Sequence, residues 1–478
     1  MAHKLYQQVA EEIITRIDGG YYAPGQKLPS IRALAREHNV SISTVQEAYR
    51  VLEERSFTEV RPKSGHFVKA RNFAPVLPDV EELPQRPVEV SAWSDILHML
   101  NADEAENMLN LGWAIPDLHS PTLKPLMREM NQISRRHGMR SLSYDYVRGN
   151  VGLRRQIARL GVDSGLQLHP DEILVTSGCQ EALACSLRAI TKPGDIVAVD
   201  SPFYFGAVQT IEASGLKAIE IPSHPQTGTS IEALELALAQ WPVKVLVLTP
   251  TCNNPMGYSM PEAQRPKILD LCNRYDVVVI EDDIYGDLSF QYPRPRTLKS
   301  YDTEGRVILC SSFSKTLAPG LRVGWVAPGR YLDQVLHMKY VSSISTSTIP
   351  QMAIAEFISQ GAYERHLRKM RMNYQQGRDI FIVLIQRYFP EGTCMTYPQG
   401  GFVIWVEVPK AINTMELNKR ASKYGISIAP GELFSTTRKY KNQMRLNYTY
   451  CPSDEVEQAI RTLGRICHEM LQEAATAA

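Results

Sequence analysis

The N-terminal part of the chain shows three stretches of apolar residues at helical spacing. One spans residues 4–17, and a second runs from Ser30, whose hydroxyl is suited to cap a helix, to about His38. A third covers roughly residues 43–54, and either Ser43 or Ser41 is placed to cap it. The pattern therefore predicts three short helices, separated by turns, within the first 54 residues.

Two short apolar runs follow these helices, at residues 57–60 and 66–68. The segment between them, Arg61-Pro62-Lys63-Ser64-Gly65, is basic and turn-forming, so the two runs predict a two-stranded ribbon with a basic tip. Three helices and a ribbon within about 70 residues are typical of a winged helix-turn-helix. We therefore assign residues 1–71 to a winged-helix domain.

A change of composition marks residues 72–92. This stretch holds four prolines and four acidic residues and has no helical period. Such a sequence is typical of a semi-extended spacer rather than of a packed core. At ~3.1 Å per residue, its 21 residues would span about 65 Å. We therefore predict a Pro-rich linker at 72–92, followed by a second domain over residues 93–478.

The second domain alternates between apolar runs and amphipathic helical stretches. Apolar strands interleaved with helices predict an α/β fold, with a mainly parallel sheet covered on both faces. We expect this sheet to form a large subdomain over about residues 120–345, and two later runs predict a small sheet near the C-terminus. The strands predicted for the two sheets lie at residues 172–176, 196–200, 243–249, 277–280, 307–310, 322–326, 403–407 and 444–448.

The amino-acid composition indicates which class of protein this chain is. Hydrophobic residues make up 44% of the chain and charged residues 22%, as in soluble globular proteins. The net charge is +1, and residues 1–71 carry eleven Lys and Arg against eight Asp and Glu, a mild local excess. The eight cysteines form no C-x-x-C pair, and no run approaches the ~20 apolar residues of a membrane span. We expect no metal site, no membrane partner and a cytoplasmic location.

A winged helix places its third helix in the major groove of DNA while flanking groups hold phosphates. On that docking, the third helix presents polar side chains to the bases, and Gln46 is the best suited of them to read a base edge. The alternative is that these are ordinary solvated positions. The candidate DNA-binding residues are Arg32, Ser43, Thr44, Gln46, Arg50, Arg61, Lys63 and Gly65.

Three segments of this domain resemble the GntR-type winged helix. They are residues 19–35, 40–53 and 65–68. The sequence departs from the family at Ile42, where arginine is frequent, and at His66, where a small residue is common. The resemblance implies a winged-helix fold and a double-stranded DNA operator as partner, and it carries over no base preference.

A lysine between hydroxyl residues follows the predicted strand at 307–310, in Ser311-Ser312-Phe313-Ser314-Lys315. Pyridoxal phosphate requires a lysine for its Schiff base, an acid at its pyridine nitrogen, donors for its ring oxygen and a cup for its phosphate. Lys315 is therefore the candidate for the Schiff base. The hydroxyls of Ser312 and Ser314 and the guanidinium of Arg322 are candidate donors to the phosphate.

Two further requirements are met near other predicted strands, where open α/β sheets bind ligands. A carboxylate after the strand at 277–280 can keep the pyridine nitrogen protonated. Both Asp282 and Asp283 are candidates, and the spacing to Tyr285 favours Asp282. Tyr285 and the amide of Asn254 can donate hydrogen bonds to the ring oxygen.

The phosphate and the face of the ring also have candidates. The segment Gly178-Cys179-Gln180 begins a predicted helix after a strand, and its free backbone N–H groups suit an anion. Tyr204 follows another predicted strand and can stack on the ring. Together these motifs resemble the fold-type I pyridoxal phosphate-dependent aminotransferases, from about residue 105 to the C-terminus.

The resemblance extends to Tyr144 and Arg445. It implies that Tyr144 reaches the phosphate of a neighbouring subunit and that Arg445 grips a substrate carboxylate, as a bidentate guanidinium can. A winged helix joined to such a domain resembles the MocR subgroup of GntR regulators. That subgroup implies a head-to-tail homodimer that senses pyridoxal phosphate, sometimes together with a small amino compound.

Three functions fit this sequence. The first is a transcription regulator that uses pyridoxal phosphate as its sensor. The second is a catalytically active aminotransferase acting on an amino acid, because every position needed for transamination is filled. The third is a cofactor-storage or scaffold protein. The winged helix favours the regulator, since a plain aminotransferase has no use for one, and the sequence leaves enzymatic turnover open.

Overall fold

The computed structural model describes residues 5–18, 22, 26–54, 57–61, 64–69, 75–80, 85–89 and 108–477. Among the candidate site residues, Lys63 lies outside this described part of the chain. The chain divides into two compact units, Met1–Ala74 and Pro75–Ala478. Within the described ranges, no helix combines the length and the apolar character that a membrane crossing requires.

Three helices of the N-terminal unit pack around one apolar core. They are α1 (Leu5–Asp18), α2 (Ile31–Glu37) and α3 (Ile42–Glu54). The hydroxyl of Ser30 accepts a hydrogen bond from a backbone N–H at 3.2 Å and caps α2. Ser41, rather than Ser43, caps α3 by accepting from the N–H of its third residue at 3.1 Å. The core includes Val9, Ile13, Leu28, Leu34, Val45, Ala48, Tyr49, Leu52 and Val68.

The predicted ribbon consists of β1 (Thr58–Arg61) and β2 (Gly65–Val68), paired antiparallel. The chain before α2 joins it, because the N–H of Leu28 donates to the carbonyl of His66 at 2.9 Å. The ring of Tyr49, on α3, stacks on the imidazole of His66 with 4.2 Å between centroids. These contacts hold the ribbon against α3, and the winged helix-turn-helix prediction is confirmed.

A nine-stranded sheet forms the centre of the C-terminal unit. Its strands are β3 (Val88–Glu89), β5 (Leu174–Thr176), β6 (Ile196–Ser201), β7 (Lys217–His224), β8 (Gly228–Thr229), β9 (Val243–Leu248), β10 (Val278–Asp282), β11 (Val307–Ser312) and β12 (Gly324–Ala327). They lie in the order β3-β7-β6-β9-β10-β11-β12-β5, and β8 pairs with β7. The five strands from β7 to β11 along this order are parallel, and β12 is antiparallel to both of its neighbours.

Helices cover both faces of this sheet, as the fully apolar strands predict. Val197 and Val199 of β6 pack in a cluster with residues of the helices Cys179–Ile190 and Phe205–Ala213, whereas Ala198 packs with residues of the helices Ile231–Gln240 and Arg265–Arg274 on the other face. The helices of this unit are α4 (Lys124–His137), α5 (Val151–Gly161), α6 (Cys179–Ile190), α7 (Phe205–Ala213), α8 (Ile231–Gln240), α9 (Arg265–Arg274), α10 (Leu332–Ser343), α11 (Thr348–Ser359), α12 (Ala362–Tyr388), α13 (Thr414–Ser422) and α14 (Asp454–Ala477).

A small antiparallel sheet follows α12, as the late apolar runs predict. It contains β13 (Cys394–Met395), β14 (Val403–Glu407), β16 (Ala429–Pro430) and β17 (Gln443–Asn447), in the order β13-β14-β17-β16. The short strand β15 (Ile426–Ser427) pairs in parallel with β4 (Leu109–Asn110). This pairing brings the chain after β4 alongside β17, so residues far apart in sequence meet there.

The predicted linker is not a free spacer throughout, because it makes backbone hydrogen bonds to other parts of the chain at two places. The carbonyl of Val76 accepts a hydrogen bond from the N–H of Met395 at 2.9 Å. Val88 and Glu89 form strand β3, which pairs antiparallel with the outer edge of β7. A two-residue pairing leaves no periodic signal in a Pro-rich sequence, and so the sequence pattern did not predict it.

Candidate cofactor cavity and DNA-binding face

A cavity of about 330 Å³ opens beyond the carboxyl ends of the parallel strands. It collects residues from the loops after β6, β10 and β11 and from the start of α6, as expected for an open α/β sheet. Of the predicted cofactor residues, nine line it in this chain. They are Cys179, Gln180, Tyr204, Asn254, Asp282, Tyr285, Ser314, Lys315 and Arg322.

Lys315 lies in the loop between β11 and β12, and its amine is buried. Its Nζ donates a hydrogen bond to the carbonyl of Ala114 at 2.7 Å. Burial and the nearby guanidinium of Arg445 lower the pKa of Lys315 from 10.5 to about 8. A substantial fraction of the amine is therefore neutral near physiological pH, and the neutral form is the one that attacks a carbonyl.

Asp282 and Asp283 point to different places. Asp282 lines the cavity, and its Oδ1 accepts hydrogen bonds from the N–H of Ile284 at 3.1 Å and from the thiol of Cys179 at 3.6 Å. Burial raises the pKa of Asp282 to about 6. Asp283 forms a buried ion pair with Arg294 at 2.5 Å and does not line the cavity. The side chain open to a ligand is therefore that of Asp282, which the spacing to Tyr285 favours.

Tyr285 and Asn254 lie on the same wall of the cavity. The buried hydroxyl of Tyr285 has no hydrogen-bond partner among the described residues. Burial raises the pKa of Tyr285, so this group is a neutral donor. The Oδ1 of Asn254 accepts from the guanidinium of Arg445 at 2.8 Å, which leaves its amide N–H groups for a ligand.

The start of α6, the predicted anion site, lies beside Arg322. Gly178 precedes the helix with a φ of +96°, a conformation that favours glycine. A Cβ at this position would lie 2.6 Å from the guanidinium of Arg322, so the glycine also permits the close approach of that cation. Arg322 donates to the carbonyl of Ser177 at 2.7 Å. Helix N–H groups and a guanidinium thus converge on one region.

Ser312, like Gly178, is a phosphate candidate that does not line the cavity. Its hydroxyl accepts from the backbone N–H of Ser314 at 3.2 Å and shapes the lysine loop instead. Gln180 lines the cavity, but its amide donates to the carbonyl of Gly206 at 2.6 Å and to the hydroxyl of Thr210 at 2.7 Å. Both side chains therefore hold neighbouring elements in place.

Tyr204 supplies a flat surface to the cavity. Its ring lies so close to Gly206 that a Cβ there would come within 2.4 Å of it. Burial raises the pKa of Tyr204 to about 12. The role of Gly206 could not be predicted from the sequence, because a glycine early in a helix carries no signal of the ring packed against it.

Arg445 is buried on β17 behind the cavity. It donates to Asn254 and, at 2.5 Å, to the carbonyl of Gly112, and its guanidinium lies 5.6 Å and 5.0 Å from the rings of Phe205 and Phe434. Burial lowers the pKa of Arg445, and no acidic partner for it appears among the described residues. A buried cation of this kind is suited to bind the carboxylate of a ligand.

Tyr144 does not line the cavity of its own chain, and 82% of its surface is exposed. It follows α4 and is free to contact another molecule. Its predicted contact with the phosphate of a neighbouring subunit stays a prediction, because a single chain does not test it.

The predicted DNA-binding residues lie mostly on the surface of the N-terminal unit. Ser43, Gln46 and Arg50 are exposed on α3, Arg32 is exposed on α2, and Arg61 is exposed on β1. Two of the cations have acidic neighbours: Arg50 lies 2.5 Å from Glu47, and Arg61 lies 2.8 Å from Glu59. Thr44 and Gly65 are half-buried. Ile42, the first residue of α3, is also exposed. The other exposed residues described on α3 are polar, as recognition of base edges requires.

The cavity fits pyridoxal phosphate. Tyr285 has a buried donor without a partner among the described residues, and such a donor suits the ring oxygen. Asp282 offers a half-buried carboxylate for the pyridine nitrogen, and Lys315 offers a partly neutral amine. The start of α6 and Arg322 offer donors for a phosphate. The donor set thus matches each polar part of the cofactor.

Two family models cover most of this chain. The model described as bacterial regulatory proteins, gntR family, matches residues 5–68. The model described as aminotransferase class I and II matches residues 106–463. The chain belongs to the MocR subgroup of GntR-type transcription regulators. It is therefore a DNA-binding regulator with a fold-type I aminotransferase domain, and its cofactor is pyridoxal 5'-phosphate.

Full-length relatives share both parts. The chain is 45% identical to an uncharacterized HTH-type transcriptional regulator, YjiR, of Escherichia coli (strain K12), over 98% of this chain and 99% of that protein. It is 34% identical to a second such regulator of that organism, YdcR, over 98% and 100% of the two chains. Both alignments run through the winged helix and the aminotransferase-like domain.

Two solved structures similar to this regulator are aminotransferases. A kynurenine aminotransferase of Pyrococcus horikoshii is 32% identical, with a TM-score of 0.73, over 80% of this chain and 96% of that one. LysN, an alpha-aminoadipate aminotransferase of Thermus thermophilus, is 27% identical, with a TM-score of 0.70, over 80% and 100%. LysN was solved with N-(5'-phosphopyridoxyl)-L-leucine.

Proposed function

We propose that this regulator senses pyridoxal phosphate, and a small amino compound, through the cavity around Lys315. The observation that carries the proposal is that a complete cofactor cavity belongs to the same chain as a winged helix. An amino compound that exchanges with Lys315 would change the contacts of the cofactor domain. The affinity for DNA would then depend on whether the ligand is bound, and the protein would act as a sensor.

The roles of the cavity residues follow from their contacts. When bound, pyridoxal phosphate supplies an electrophilic carbon and an electron sink. Lys315 is the covalent anchor and holds or releases a proton at Nζ. Asp282 keeps the pyridine nitrogen protonated, and Tyr285 and Asn254 donate to the ring oxygen. These groups orient the cofactor so that Lys315 can be displaced.

The remaining cavity residues hold the ends of the ligand. Gly178, Cys179, Gln180 and Ser314, with Arg322, surround the phosphate, and Tyr204 stacks on the ring. Arg445 holds the carboxylate of an amino compound in place of the carbonyl of Gly112. The effector class is therefore a small amine that carries a carboxylate.

The DNA contacts are assigned by position on the winged helix. Ser43, Thr44 and Gln46 on α3 face base edges, and Arg50 contacts the backbone beside them. Arg32, Arg61, Lys63 and Gly65 contact phosphates on either side of α3. The partner is a double-stranded DNA operator, and the protein acts in the cytoplasm.

A homodimer completes the proposal. Four large side chains close together after α4 are between 66% and 82% exposed: Met139, Leu142, Tyr144 and Tyr146. Such an exposed apolar patch favours a protein partner. A second copy of this chain would cover it and would bring its own Tyr144 to the cavity, in the head-to-tail arrangement of the subgroup.

Aminotransferase activity is the second candidate function, and a specific observation favours it. Lys315 and Asp282 line one cavity, and Arg445 donates to Asn254, which also lines it, so no group needed for amino transfer is missing from the described residues. The same constellation serves a sensor that never completes a turnover. Turnover must therefore be measured.

Footprinting tests the regulator. We expect protection of the DNA upstream of the protein's own gene, changed by pyridoxal phosphate or by one member of an amino-acid panel. Lys315→Ala should lose the response to the cofactor and its absorbance band, whereas Lys192→Ala, at an exposed lysine, should keep both. Rapid conversion to the aminated cofactor, without any footprint, would instead support the enzyme and refute the sensor.

A further inference from the structure

A second cavity, of about 480 Å³, lies at the edge of the large sheet. It shares no lining residue with the cofactor cavity. Three parts of the chain meet there: the segment before β3, strand β7, and the loop between β16 and β17. Its lining residues are Gln85, Arg86, Val88, Glu220, Pro222, Thr436, Thr437 and Lys439. This volume falls within the usual range of small-molecule sites.

The negative charge in this cavity is already compensated. Glu220 is buried, and its carboxylate accepts hydrogen bonds from the hydroxyls of Ser201 and Ser435 and from the N–H and hydroxyl of Thr436, all at 2.7–2.8 Å. The ammonium of Lys439 lies 3.1 Å from it. Burial acts to raise the pKa of Glu220, but Lys439 and the donors outweigh it and hold this pKa below its usual value. Glu220 is therefore a satisfied anion.

The positive charge is not fully compensated. Arg86 lines the cavity with an exposed side chain, and no ion pair with it appears among the described residues. Since Lys439 is paired with Glu220, Arg86 leaves the cavity with an excess positive charge. The side-chain amide of Gln85 adds a buried nitrogen and oxygen that have no hydrogen-bond partner within the described ranges. Buried polar atoms without partners are rare and point to a missing ligand or water.

We propose that this cavity is a second ligand site of the protein, which takes a small organic anion carrying a phosphate or carboxylate group. Arg86 supplies the uncompensated charge, and the ammonium of Lys439, the amide of Gln85 and the hydroxyl of Thr437 supply further hydrogen bonds. Because Gln85 and Arg86 lie just before β3, an anion bound there ties this part of the predicted linker to the loop between β16 and β17.

Binding of inorganic phosphate to the full-length, pyridoxal phosphate-loaded protein tests this proposal. The loaded cofactor keeps the probe out of the phosphate cup beside Arg322. We expect one saturable site by calorimetry, at constant ionic strength, and slower hydrogen exchange of the amides at residues 85–89. The same measurement is made with succinate in place of phosphate. Binding of phosphate but not of succinate identifies phosphate esters as the ligand class, and binding of succinate but not of phosphate identifies carboxylates.

Two variants decide the outcome. Arg86→Gln, at an exposed position, should weaken binding of the probe by about tenfold, the usual effect of one charged hydrogen bond. Lys217→Gln removes an exposed cation from β7 outside the cavity and should bind like the parent protein. The proposal would be overturned if no binding were detected, or if Arg86→Gln bound the probe as tightly as the parent protein does. Saturable binding without slower hydrogen exchange at residues 85–89 would also overturn it.

Discussion

The amine of Lys315 should capture pyridoxal phosphate at a lower pH than an ordinary lysine does. Its pKa of about 8, against the usual 10.5, follows from burial and from the nearby Arg445. At pH 7 about 9% of such an amine is neutral, compared with about 0.03% of an ordinary lysine. The reactive fraction is therefore about 300-fold larger.

The assay is the rate at which protein freed of cofactor regains its absorbance band on mixing with pyridoxal phosphate. Between pH 7 and 9 the rate should rise about tenfold and then level off, whereas an ordinary lysine would gain about a hundredfold. Nα-acetyl-lysine in the same buffers corrects for titration of the cofactor itself.

Two variants should move the midpoint in opposite directions. The carboxylate of Asp282 raises the pKa of Lys315 and the guanidinium of Arg445 lowers it. Asp282→Asn should therefore shift the midpoint to lower pH, and Arg445→Met should shift it to higher pH. A midpoint near pH 10 in the parent protein, or shifts of both variants in one direction, would refute the reasoning.

Three further changes test other parts of the structure. Gly206→Ala should displace the ring of Tyr204 and weaken cofactor binding by about tenfold in a titration, whereas Gly320→Ala, which has open space, should not. Leu34→Ala should destabilise the winged helix by about 2–5 kcal/mol in urea melts and reduce DNA binding, with the cofactor absorbance unchanged. Arg50→Gln should lower the salt dependence of DNA binding by about one unit of slope; an unchanged slope would remove Arg50 from the phosphate contacts.

Residues whose roles depend on a local motif could be predicted from the sequence. Lys315 stands between hydroxyl residues after an apolar strand, and Asp282 stands three residues before Tyr285. These short patterns predict where the side chains lie, because the end of a parallel strand fixes the position of the residues that follow it. Lys315 and Asp282 accordingly line one cavity.

Contacts that join distant parts of the chain left no such pattern. Nothing in the sequence links Ala114 to Lys315, Gly112 to Arg445, or Cys179 to Asp282. The direction of each strand could not be predicted either, because fully buried strands have the same apolar pattern whichever way they run. The antiparallel β12 could therefore not be distinguished from its neighbours.

The pairing of β3 with β7 also protects the cofactor domain from aggregation. Strand β7 is the last long strand of its sheet, and its outer side is covered by β3 at residues 217–218 and by β8 at residues 223–224. An uncovered edge strand is a template for pairing with another chain. A shortened protein that starts after residue 89 would lose half of this cover. The isolated cofactor domain should therefore be produced from residue 75 onward, and the shorter version should precipitate or form strand-linked oligomers.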